Sequence, residues 1–201
     1  MRSVPRWALL SSGCAPVVLF GGPTIAAVIH GPGYSPVRQT ISVLASDGPS
    51  GYWALTTTLI VLGSCHLVTA WGLRPAELAG RLALGAGGVS AMVLALFPAP
   101  NSGGSLSHGS VVAVGFSLLA VWPVLAANRS GGAPWGLRPV PSVTVSALML
   151  AGGAWFLFEL QTKGAAGVAE RVLTAAQSLW PVVVVVSCLR HSSPDGDQPI
   201  S

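Results

Sequence analysis

Charge is what this chain has least of. Only 8% of its 201 residues are Asp, Glu, Lys or Arg, against about 25% in an average soluble domain, and a water-soluble surface cannot be built from so few. In their place, 51% of the residues are hydrophobic and the mean hydropathy is +0.67. Cysteine is scarce too. Cys14, Cys65 and Cys188 each lie inside an apolar run, without a loop pair or a spacing suited to metal or redox chemistry, and read as free, inert thiols. A nucleophile elbow, a phosphate-binding glycine loop and a metalloprotease motif are absent. The net charge of +4 and pI near 9.5 do not indicate nucleic acid, because the ten Lys and Arg lie singly in short loops rather than on one face.

What is present is a series of apolar blocks at 8–30, 52–72, 82–98, 109–127, 140–160 and 168–189. Their length matches a hydrocarbon layer about 30 Å thick. A spanning segment must satisfy its own backbone hydrogen bonds, and these blocks lack the alternation of a barrel strand, so helices are expected. The fold class is all-α, a polytopic bundle of about six transmembrane helices. Gly21, Gly22, Pro23, Pro123 and Pro181 predict kinks or close helix contacts within it. Arg2 and Arg6 resemble the positive region of a signal peptide, but the apolar run continues to His30, so a retained first helix is expected.

Seven Lys and Arg fall on the side of the termini and three, Arg38, Lys163 and Arg171, on the other. The positive-inside rule then puts both termini in the cytoplasm of a multi-pass cell-membrane protein. Residues 1–190 form the transmembrane domain, and 191–201, with Pro194 and Asp195-Gly196-Asp197, read as a disordered cytoplasmic tail. The implied partners are the lipid bilayer and an apolar small molecule, not nucleic acid; a homo-oligomer is compatible with the sequence. No cofactor is expected. Nor is a metal: no two of His30, His66 and His108 share a four-residue helical spacing, and His66 is expected to be a buried hydrogen-bonding residue.

The loop Gly33-Tyr34-Ser35-Pro36-Val37-Arg38-Gln39-Thr40-Ile41-Ser42-Val43-Leu44 resembles the bacterial membrane family catalogued as domain of unknown function 998. Phe97-Pro98 with His108-Gly109 resembles that family's third-to-fourth helix junction, and Ala169-Glu170-Arg171 with Leu179-Trp180 its last helix. The resemblance implies a six-helix membrane fold and no assigned activity. The chain departs from the family pattern at Val43 and Ala99-Pro100, where acids are usual, and at Asp47 and Glu159, where they are not.

Intramembrane acids are functional candidates by default. Glu159 follows Trp155-Phe156-Leu157-Phe158 at the outer end of the fifth block, where a water-poor aromatic pocket would make it a proton donor; an ion pair with Lys163, four residues on, is the structural alternative. Asp47 is either a second acid or a turn and cap residue before Gly48-Pro49. Arg38, with Tyr34 and Ser42, suits a phosphate or carboxylate head group, or else pairs with Asp47 or Glu170. His108 is placed at the outer mouth. Trp53, Trp155 and Phe156 are candidate cavity aromatics, with a membrane-interface belt as the plainer reading for the tryptophans at block ends.

Together these features are expected to make a small membrane-embedded enzyme acting on an isoprenoid or lipid. In its sharpest form Glu159, helped by Asp47, protonates an alkene or epoxide and starts cyclisation, with Tyr34, Trp53, Trp155 and Phe156 around the cation. This is similar to the general logic of small membrane-bound terpene cyclases, without a shared motif. The alternative is a noncatalytic transporter or partner subunit, for which the interior polar residues, such as His66, Ser90 and Gln177, make a thin path.

Overall fold

A computed structural model describes residues 3–45, 49–99 and 105–192. Six helices follow one another: α1 Arg6–His30, α2 Pro49–Gly72, α3 Leu78–Leu94, α4 Leu106–Ala126, α5 Pro139–Thr162 and α6 Ala166–Ser192. All but α3 are long and apolar enough to cross a membrane. At 17 residues α3 spans about 25 Å, the short end of the useful range. Each helix packs on the next, and α6 packs back on α1, so the six close into a ring.

The polarity of this ring is inverted relative to a soluble bundle. Large apolar side chains such as Leu10, Val17, Leu82, Leu148 and Leu157 face outward, while Thr58, His66, Ser90, Glu170 and Gln177 are buried. That is the arrangement a lipid solvent favours, since the hydrocarbon outside is as apolar as any core. Trp53, Trp71 and Trp135 are exposed near helix ends, as an interfacial belt requires. Arg81 donates to the carbonyls of Ala70 and Trp71 in the last turn of α2, so a cation that looked like a topology anchor also caps a helix.

The interior is solid at one end and hollow at the other. On the face where α1 begins and α6 ends, Ala8, Leu73, Leu84, Trp122, Leu137 and Val184 belong to one buried apolar cluster to which all six helices contribute, α5 through Met149. On the opposite, distal face the side chains stop short of one another. There the α1–α2 connection, after Gly31 in a left-handed conformation (φ 84°), folds into a short 3-10 turn, Ile41–Ala45, that covers the ring.

Glycine sets how closely the helices approach. At Gly88 an added Cβ would lie 2.6 Å from the Gly63 carbonyl oxygen and 3.0 Å from the Cβ of His66. Gly88→Ala is therefore expected to force α2 and α3 apart at a cost of about 1–3 kcal/mol. Gly85→Ala, whose Cβ would meet Leu67 at an ordinary 3.5 Å, should leave the melting temperature in detergent unchanged. Cys14 and Cys65, distant in sequence, come within hydrogen-bonding reach across α1 and α2 as free thiols.

Candidate functional site

The hollow half holds a cavity of about 110 Å³, open in part to the outside. Its walls are largely apolar and come mainly from α2, α3 and α4, and Ile41, Ser42 and Ala45 of the 3-10 turn lie over it. One polar stripe runs down the wall. Glu170, Thr174 and Gln177 repeat at i, i+4 and i+7 on α6, so they share a face, with roughly 10 Å of helix axis between the first and the last. Across from them α2 contributes Tyr52, Thr56 and, deepest, His66, while α3 supplies Ser90.

Glu170 is 8% exposed. Its Oε2 accepts the Ile41 backbone N–H at 2.6 Å, which ties the covering turn to α6. The next residue completes the tie. The Arg171 guanidinium donates to the Tyr34 hydroxyl and to the carbonyls of Pro36, Gln39 and Gly167, and its Cζ lies 5.8 Å from the centre of the Tyr34 ring. Tyr34 in turn donates toward the carbonyls of Gln39 and Thr40. Burial raises the Tyr34 phenol above its ordinary value, and the hydrogen bond and charge of Arg171 act against that rise.

Two loop motifs far apart in sequence are thus one assembly, and so is a third. His108 Nδ1 meets the Phe97 carbonyl oxygen at 2.7 Å. A carbonyl can only accept, so Nδ1 carries a proton, and in the neutral ring Nε2 is the acceptor. The imidazole lines the cavity while pinning the α3–α4 connection.

A second hollow, a groove of about 670 Å³, lies between α4 and α5. Its lining includes Leu150, Leu157 and Leu160, which face the lipid. Ser42, His108, Val112, Phe116 and Glu170 line both the groove and the central cavity, so they form the partition between them. Phe116 and Phe156 meet edge to face at that partition, ring centres 5.9 Å apart.

The residues singled out from sequence are therefore dispersed. His108 lines the cavity and the groove; Phe156 lines the groove. Tyr34 is buried beneath Arg171 instead of lining either hollow, Arg38 is exposed, and Trp53, at 64% exposure, faces outward. The loop is docked on α6 by Arg171 rather than by Arg38. Asp47 lies outside the described residues.

Glu159 sits away from both hollows. Its Oε1 accepts from Trp155 Nε1 at 3.0 Å and its Oε2 from the Ala165 N–H at 2.6 Å, so it closes the α5–α6 turn by serving an orphan donor at the start of α6. Lys163 reaches it through its backbone N–H, which donates to the Glu159 carbonyl from a left-handed cap conformation. Glu159→Gln would set an NH2 against one of two donors. We expect a loss of about 1–2 kcal/mol in thermal unfolding and unchanged ligand content of the cavity; a drop in ligand content would restore Glu159 to the site.

Sequence reasoning names Glu170 only as a motif residue and a possible partner of Arg38, and Gln177 only as part of a thin polar path; neither is singled out for the site. The signal was available in their shared helical face, but it had no meaning until that face was known to point inward.

Inward polarity, an outward apolar surface and a ring of six helices define a multi-pass integral membrane protein. The chain belongs to the family of proteins of unknown function DUF998, whose family model matches residues 14–187, as the loop and helix motifs had implied. No curated protein and no solved structure matches it.

Proposed function

We propose that the chain draws an apolar, isoprenoid- or lipid-like molecule from the bilayer through the α4–α5 groove into the central cavity, where Glu170 acts as the acid in a reaction upon it. One observation carries this reading. A carboxyl group almost withdrawn from solvent stands in the partition between a lipid-facing groove and an enclosed apolar cavity, and intramembrane acids in such places are functional by default.

The chemistry that suits a carboxylic acid facing an apolar cavity is isomerising. The carboxyl proton passes to an alkene carbon or an epoxide oxygen, the cation is consumed by ring closure or migration, and a proton lost from the product restores the acid. Tyr52 and Phe116 are the cavity's benzene-type rings, so cation stabilisation by ring faces rests on these two rather than on the tryptophans.

The test is content and consequence. Protein purified into nanodiscs is extracted with organic solvent and the extract analysed by mass spectrometry; a defined apolar species should accompany the wild type in near-stoichiometric amount. Ala91 lines the cavity, and Ala91→Phe should displace that species. Equal lipid content in the two proteins would sink the proposal.

A further inference from the structure

We infer that the molecule held in the cavity carries an uncharged hydrogen-bond donor, an alcoholic or phenolic O–H, that reaches the deep end of the cavity at Gln177. This rests on reading the cavity as the site of an apolar ligand and adds the chemistry of its polar group.

Gln177 is 2% exposed and lines the cavity. Its Nε2 donates to the Phe116 carbonyl at 3.0 Å. Because that carbonyl cannot donate, the amide orientation is set, and Oε1 is left buried without a partner among the described residues. A buried acceptor in this condition costs about 1–3 kcal/mol, and native structures seldom leave one uncompensated.

The backbone adds further acceptors. Pro23, Pro123 and Pro181 lie within α1, α4 and α6, and each lacks the N–H that would bond the carbonyl four residues earlier. Those carbonyls belong to Leu19, Leu119 and Gln177, and all three residues line this cavity.

His66, also 2% exposed and lining the cavity, has a partnerless Nδ1 that donates or accepts according to tautomer. It can complete the bonding of a hydroxyl, which both gives and takes. No Lys or Arg lines the cavity among the described residues, and its carboxyl group, Glu170, lies two turns nearer the mouth. A phosphate or carboxylate would have no counter-charge at Gln177. Ethers, esters, ketones and quinones only accept, and would leave Oε1 as it is.

The experiment compares three C15 prenyl probes in nanodiscs, the alcohol, its methyl ether and the primary ammonium, by competition against radiolabelled alcohol. The alcohol should bind about tenfold or more tighter than the ether, the worth of one buried hydrogen bond. Gln177→Leu should erase that difference by weakening the alcohol alone; a difference that survives the substitution would remove Gln177 from the site. The comparison on the wild type decides the matter even if the variant does not fold. Equal binding of alcohol and ether overturns the inference and leaves the apolar site standing. Tightest binding of the ammonium overturns it in favour of a cation. Failure of all three probes overturns both the inference and the proposed function.

Discussion

Glu170→Gln should stop acid chemistry in the cavity without dismantling the cavity. Glutamine keeps an oxygen for the Ile41 N–H that Oε2 now accepts, so the covering turn stays tied to α6 and the bound molecule stays in place. The proton is what disappears. Removing a positioned general acid costs typically 10²–10⁴-fold in rate, and that is the loss expected when membranes carrying the variant are supplied with prenylated aromatic alkenes or epoxides and isomeric products are followed by mass spectrometry. Glu170→Ala should do more harm, because the Ile41 N–H then loses its acceptor at a cost of about 1–3 kcal/mol. Wild-type turnover in the glutamine variant would end the proposal that Glu170 is the acid.

The second large effect is expected at Arg171. One guanidinium serves four oxygens, on Tyr34, Pro36, Gln39 and Gly167. Arg171→Met should cost about 3 kcal/mol, given the strength of hydrogen bonds from charged donors and the acceptors left behind. Arg171→Lys should fall between, since an ammonium cannot reproduce the planar fork. Thermal melting in detergent measures both, and a melting temperature unchanged in the methionine variant would show that the loop is held by other means. The Tyr34 phenol adds a pH dependence of definite sign. Its value is raised above 10.0, burial being the larger cause, so the folded loop favours the protonated phenol. Its contribution is complete below the ordinary tyrosine value and is lost as the pH climbs through the raised one. Loop docking should weaken in strong alkali, and Tyr34→Phe should abolish that sensitivity.

How far this could be read from sequence depended on which solvent each residue faces. Six helices were legible because lipid demands continuous apolar blocks. Their ends were less so. The third block read as 82–98, whereas α3 runs Leu78–Leu94, because the Arg81 side chain bonds the end of α2 and its backbone continues the helix. Rotation about each helix axis was not legible, since lipid and core are equally apolar and hydrophobicity does not say which side is in. Glu159 and Glu170 both stand near the distal ends of neighbouring helices, and only rotation and packing separate them. One ended up serving a turn and the other the cavity. The family motifs marked real contacts: Phe97 with His108, and Tyr34 with Arg171. Neither partner could be chosen without the fold.

The apolar cluster packed behind the cavity has a bearing on traffic across the bilayer. On the proposed reading, a molecule taken up on the distal side would meet Trp122, Leu84 and Val184 where a conduit would need an exit, so the hollow would act as a blind pouch. That molecule would have to return by the door it entered, altered or unaltered, and the seal of the bilayer would be kept while it is inside.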